Sequence, residues 1–294
     1  GDGLRTEVAL SDSLVTATGP GPDGKAVGLQ LQAGGACFVD ADCPALYTCL
    51  GQWCYSTEAA TDEIVVTVTR SAITDNTEAG FLIGRSTSRA DGTRGWGLHA
   101  QQGPSVTISS SAFLDNSDVA LTVWTPQTEV LVSDSLLTGT ARNPTALISA
   151  AVEVGGGALL KLEGTAVVKN EQFGIYTTGA GTRLQMTDSL VSETQPQADG
   201  LMGRGLQIQT QSEVTLTQVA LSDNYEASAV IAEGSAELDH CLISDTLEWF
   251  ESGWGDGLLL WQSVGTFRSV AAVGNTRVGL LLFGGVDENL CDFP

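Results

Sequence analysis

Positive charge is scarce in this chain: 13 Lys and Arg stand against 35 Asp and Glu in 294 residues, a formal net charge of −22. Nucleic-acid binding draws its affinity from clustered Lys and Arg, so no nucleic-acid partner is expected. Anionic membrane surfaces are disfavoured for the same reason. Long apolar runs are missing too. The longest, such as VGLLLFGGV at 278–286, falls far short of the roughly 20 residues that cross a bilayer, which argues against membrane insertion. No basic-then-apolar signal opens the sequence, as expected of the mature or excised part of a longer protein. There are 2 histidines, no N-x-S/T sequon, no glycine-rich phosphate loop and no G-x-S-x-G elbow. Against these absences, 42% hydrophobic residues describe a folded, globular chain. The acidity keeps an extracellular or salt-exposed surface soluble or gathers divalent cations.

Six cysteines are present, and four of them, Cys37, Cys43, Cys49 and Cys54, fall in CFVDADCPALYTCLGQWC. A lobe this small cannot bury enough apolar surface to hold itself, so a disulfide knot at about 36–56 and an oxidising compartment are expected. The spacing lacks a CxxC pair and a nearby histidine, which disfavours zinc. Three connectivities remain open. Asp40 and Asp42 beside the knot are candidate ligands for calcium. Cys241 either pairs with Cys291 or is a buried thiol.

The rest of the chain is repetitive. VSDSLLTGT at 132–140 returns as LSDSLVTAT at 10–18, MTDSLVSET at 186–194 and LDHCLISDT at 238–246. Related copies lie between them, such as ISSSAFLDN at 108–116 and LTQVALSDN at 216–224. The nine copies end at Thr18, Asn76, Asn116, Thr140, Asn170, Thr194, Asn224, Thr246 and Asn275, and after Asn116 the steps alternate between about 23 and about 30 residues. Periods of that size mean a solenoid. Within each unit Val, Ile, Leu and Thr alternate, as in Val106-Thr107-Ile108-Ser109, and the three-and-four spacing of a helix is missing. A further strand follows a turn, as in GIYTT at 174–178 and GLQIQT at 205–210. Two or three strands per turn, stacked about 4.8 Å apart, make an all-β parallel helix of about nine coils. The terminal Asn or Thr of each copy is expected to form a ladder at a coil corner, each side chain satisfying its neighbour and the turn peptides.

The S-x-x-x-x-N…G-I/L-x-φ coil pattern, where φ is an apolar residue, resembles the right-handed parallel β-helix superfamily, the pectate-lyase-like fold. The resemblance covers residues 6 to 286 outside the cysteine insert. It implies one β-helix domain over 1–294 interrupted by the insert. The insert resembles small Dickkopf-type cysteine-rich modules through Asp40-Ala41-Asp42-Cys43-Pro44, Cys49 and Cys54, which implies extracellular display. The first coil starts almost at the first residue without a cap, so further domains or a partner are expected before Gly1, and end-to-end self-association is open.

Extra residues leave the longer coils at one point, just after the motif, and would align as a wall. Arg85, Arg94 and Trp96, in a further excursion at 84–97 that breaks the second coil, and Arg204, Trp249 and Trp254, in these loops, form the candidate binding set. Aromatic faces pack on sugar rings and guanidinium forks hold carboxylates or sulfates; alternatively the tryptophans cover coils and the arginines pair with Asp91, Asp199 and Asp256. His99, in GLHAQ, is a candidate proton donor. Resemblance to β-helix lyases and hydrolases implies clustered Asp or Glu with a basic residue, and no such motif is written here. Asp12, Asp134 and Asp188 recur in alternate coils, about 10 Å apart and too far for one calcium with ligands at roughly 2.4 Å; the ordinary reading is outward Asp at a strand edge. The sequence thus points to a structural or binding module of an extracellular or cell-surface protein, with polysaccharide or another surface protein as partner. A lyase or hydrolase acting on acidic glycans through the loop wall is the alternative.

Overall fold

The alternation of apolar residues with Thr and Ser becomes strand throughout. The computed structural model describes residues 5–16, 27–32, 47–50, 53–56, 63–74, 79–84, 95–101, 103–142, 148–197, 202–248 and 253–284, and none of these is helical. Each regular coil has three strands, as in Leu159–Glu163, Ala166–Val168 and Phe173–Thr178. Every strand pairs in parallel with its counterpart in the next coil: Val130 faces Leu160, Leu137 faces Val167 and Val152 faces Ile175. Among the described residues this gives three parallel sheets of nine, nine and ten strands, a right-handed parallel β-helix. The tenth strand arises because Ala79–Gly84 and Gly95–Gln101 both join the third sheet and pair directly with each other. A separate antiparallel hairpin, Tyr47–Leu50 with Trp53–Ser56, sets Cys49 opposite Cys54. Cys37, Cys43, Asp40, Asp42 and Cys291 lie outside the described residues.

Inward-facing positions stack into columns of like residues. Ile73, Phe113, Leu137, Val167, Val191 and Leu221, one per coil in the second sheet, are all fully buried. Each contributes about 1.5–3 kcal/mol by leaving water, and each contacts only its own and adjacent coils, so stability accumulates coil by coil.

Two corners explain the repeated motif. Between the first and second sheets, nine stacked residues adopt left-handed backbone, with φ between 47° and 57°; they run from Asp12, Arg70, Ser110, Asp134 and Gly164 to Ser269. Asp and Gly tolerate this conformation better than most residues. Asp12, Asp134 and Asp188, read from sequence as strand-edge residues, are therefore turn residues. A serine follows at this corner: Ser71 and Ser111 each donate through Oγ to the carbonyl two residues back, and the Ser71 N–H donates to Ser111 Oγ at 3.2 Å.

The second corner holds the Asn/Thr column. Thr18 and Asn76 lie outside the described residues; from Asn116 onward Asn and Thr alternate, and Asn116 through Thr246 are buried. Each later Asn reaches back one coil to the backbone: Asn224 Nδ2 donates to Val191 O at 3.1 Å, and Asn224 Oδ1 accepts from Thr194 N. Asn170 and Asn275 repeat that geometry. The amides satisfy turn peptides rather than stacking amide on amide, because their neighbours in the column are threonines. Glycine opens the third strand beside this ladder for a steric reason. A Cβ on Gly205 would lie 2.6 Å from Ser228 O and 2.8 Å from Asn224 Nδ2.

Candidate functional site

The third sheet differs from the first on its outer face. On the outer face of the first sheet, residues such as Ser105, Glu129, Arg183 and Gln185 are solvent-exposed. Along the third sheet the corresponding outward row, His99, Thr122, Glu153, Tyr176 and Gln207, is buried. Register places these five in consecutive coils, hence about 4.8 Å apart.

The local sequence explains their orientation. In strand Asp118–Trp124, Leu121 and Val123 fill the core, which turns Thr122 outward; in Ala150–Gly155, Val152 and Val154 do the same for Glu153. Phe173 and Tyr176 pack together with ring centroids 5.5 Å apart, beside Ala150. The Tyr176 hydroxyl accepts a hydrogen bond from Gln209 Nε2. Burial raises the Tyr176 pKa above its ordinary 10.0; hydrogen bonds from Thr178 and Gln209 oppose that rise and the Glu153 charge adds to it. The phenol is held neutral, as a hydroxyl for hydrogen bonding rather than a phenolate.

Arg204 begins the next strand of this sheet. Its Nη1 donates to Gln207 Oε1 at 2.7 Å, while Nε and Nη2 both donate to Glu226 Oε1. Further on, Arg277 grips the fully buried Asp256 with two hydrogen bonds, which raise its pKa, and its guanidinium lies 4.4 Å over the ring of Trp254. Trp254 also packs against the outward apolar group Ala227, Val230 and Leu259. Two polar atoms in this region are buried without a hydrogen-bond partner, Thr122 Oγ1 and Glu226 Oε2. Thr122 is the second residue of the row, and Glu226 lies in the coil after Gln207. Unsatisfied buried acceptors and donors are uncommon and each calls for an explanation, an unseen ligand or water among them.

The six binding residues named from sequence divide accordingly. Arg85, Arg94 and Trp249 lie outside the described residues. Trp96 is on strand Gly95–Gln101, in register with Val119. Arg204 and Trp254 belong to the third-sheet face. Arg204 pairs with Glu226, one coil further on, and Asp256 pairs with Arg277; Asp199 lies outside the described residues, and Trp254 covers a coil beneath Arg277. His99 lies in the same row, and Glu153, Tyr176 and Gln207 are additions. Glu153 had a sequence signal, a lone carboxylate within the apolar strand AAVEVG.

Elsewhere the geometry offers less. Among the described residues, no three His, Cys, Asp or Glu side chains gather as a metal site. His240 is exposed with Nδ1 2.9 Å from Asp239 Oδ1, whereas Cys241 is a buried free thiol whose Sγ contacts Leu216 O and Asp239 O. Asp12 is exposed and bound by Arg70 through two hydrogen bonds, which depress its pKa below the usual carboxylate value.

The sequence matches no family profile and no curated protein. A search of solved structures finds a crystal structure of the pectate lyase Pel9A, with a TM-score of 0.43 and 8% identity, covering 93% of this chain and 70% of that one.

Proposed function

We propose that this chain is an extracellular or surface-displayed binding module that takes a linear, hydroxyl-rich carbohydrate along the outer face of its third sheet. The observation that carries the reading is the buried polar row from His99 to Gln207, with the unsatisfied Thr122 Oγ1 inside it and the unsatisfied Glu226 Oε2 in the coil just beyond it. One hydrogen-bonding side chain per coil suits a polymer of repeating units, and the partly exposed Trp254 supplies an aromatic ring of the kind on which sugars pack. Catalysis is disfavoured because the two arginines that the described residues place on this face are committed, Arg204 to Glu226 and Arg277 to Asp256. Neither is poised as a base, and the partnered carboxylates are not poised as metal ligands.

The test is retention and turnover measured together on neutral and acidic polysaccharides, with and without calcium, following unsaturated products and reducing ends. Retention without product, weakened in Tyr176→Phe and Gln207→Ala, supports the proposal. Product formation lost in the Glu153→Gln variant would make the chain a lyase or hydrolase, and silence on every glycan would remove the carbohydrate reading.

A further inference from the structure

The second sheet carries a surface that the carbohydrate reading does not use. Its strands are three residues long, with the middle residue in the core and the first facing outward. From Leu14 through Ala72, Ala112 and Leu136 to Ala271, all nine stacked outward positions are Leu or Ala. On a chain of net charge −22, this is an uncharged apolar stripe about 38 Å long. Leu14 is 63% exposed and Leu242 43%. Where two alanines follow one another, Ala72 and Ala112, with Leu14 and Leu136, line the stripe's side of a shallow open groove whose other side is the corner of Asp12, Arg70, Ser110 and Asp134 with the serines that follow it.

Two rails of left-handed turn residues flank the stripe. Asp12, Asp134 and Asp188 project from the corner on one side. On the other side stand Asp115, Glu193, Asp223 and Asp245, with Lys169 among them. Arg70 is committed to Asp12 and Lys169 lies 3.8 Å from Glu193. His240 continues the first rail beside Asp239. Five carboxylates, Asp115, Asp134, Asp188, Asp223 and Asp245, are exposed and make no ion pair among the described residues.

We infer that this stripe is the docking surface for a basic amphipathic helix of a partner protein, seated along the solenoid axis with its apolar side chains over Ala72 and Ala112 and its Lys or Arg side chains against the acidic rails. The backbone excludes strand addition here, because inter-coil pairing already uses the peptide groups of these strands. A helix presents one apolar side chain per turn of about 5.4 Å, close to the coil step of about 4.8 Å, so successive turns address successive coils. The double-alanine dip accepts a Leu or Phe-sized anchor. The rails repel acidic partners and anionic membranes and attract basic flanks, which makes the association dependent on salt.

The experiment uses the full chain and a labelled synthetic peptide of about 18 residues, helical, with a Leu face flanked by Lys. Controls are the same composition scrambled and a version with Glu for Lys. Fluorescence anisotropy is read at about 0.05 M and about 0.5 M NaCl. The expected result is saturable binding of the Leu-faced Lys peptide alone, weakened at least about tenfold by salt and at least about tenfold by Ala112→Arg, which fills the dip and repels the Lys flanks. If Ala112→Arg alters the far-UV spectrum, the exposed pair Asp134→Asn and Asp188→Asn replaces it, with a reduced salt dependence as the expected reading. Equal binding of the scrambled peptide, or of the native chain and its variants, overturns the inference, and so does no binding at all. A dimer in sedimentation that Ala112→Arg dissociates assigns the stripe to a second copy of this chain and overturns it too.

Discussion

Asn224 and Thr194 occupy neighbouring rungs of one ladder, yet their side chains stand in opposite energetic positions. Asn224 is buried and satisfies Thr194 N and Val191 O, so removing it strands two backbone groups of the preceding coil. Asn224→Ala is expected to cost about 2–4 kcal/mol. Thr194 Oγ1 is buried with no partner, so Thr194→Val removes a desolvated hydroxyl and should leave stability unchanged or raise it by about 1 kcal/mol. Thr246 behaves otherwise, because its Oγ1 bonds Asn275 Oδ1 at 2.6 Å and Ser228 Oγ at 2.7 Å; Thr246→Val should destabilise. Urea unfolding of the three variants checks the order, and a loss in Thr194→Val would contradict the assignment of its hydroxyl as unsatisfied. Cys241 adds a pH dependence. Burial raises its thiol pKa above the ordinary 9.0. A folded-state pKa raised above the unfolded one gives stabilisation that is complete below the unfolded value and is lost as pH rises past it. The unfolding midpoint should therefore fall from about pH 8 to about pH 10, and fall less in Cys241→Val. That substitution matches the adjacent coil, where Val219 is buried at the equivalent position.

At the scale of strands and coils, stability follows from which coils are covered on both sides. The last described coil, Val264–Arg268, Ala271–Val273 and Val278–Phe283, has no further coil paired to it among the described residues. Val264 is 72% exposed, Leu282 61% and Val273 58%. Ile175, four coils from that edge, is fully buried. Hydrogen exchange should be slowest in the strands around Ile175 and fastest in 264–283, because opening the last coil breaks one inter-coil interface and opening a central one breaks two. Ile175→Ala should cost about 2–5 kcal/mol and speed exchange through the central coils. Uniform exchange along the chain would contradict nearest-neighbour stability. The coil itself was legible in sequence, because a period near 23 and the Val-Thr alternation leave little other architecture. The left-handed corner was not. Its column holds Asp, Arg, Ser, Gly, Gln and His, which share no chemistry, so only the backbone reveals what they have in common; Gly164 within an Asp column was the one hint. The third-sheet face was half legible. His99 and Arg204 stood out as rare residue types, but Arg204 meets Glu226, 22 residues away, through a register that depends on where each long coil returns. Tyr176 and Gln207 looked like ordinary strand residues until the coils were stacked.

Over the whole molecule, the net charge of −22 acts on a shape that cannot disperse it. A solenoid repeats each outward position about every 4.8 Å, well inside the Debye length of about 10 Å at 0.1 M salt. An acidic residue therefore has like neighbours one or two coils away, as Asp223 and Asp245 do in adjacent coils at the second corner. The ion pairs across this surface, Asp12 with Arg70 and Lys161 with Glu129, neutralise few of the carboxylates. Self-repulsion is larger in the folded column than in the expanded chain, so screening should favour the folded state. Raising NaCl from about 0.02 M to about 0.5 M is expected to increase the melting temperature steadily, with most of the gain below about 0.2 M, where the Debye length shortens fastest in ångströms. Replacing Asp223 and Asp245 together by Asn should raise the melting temperature at low salt and flatten its salt dependence. The two substitutions should show an interaction energy that fades as salt is added. A melting temperature indifferent to salt would mean that the carboxylates are already spaced or paired well enough for the coil repeat not to concentrate their charge.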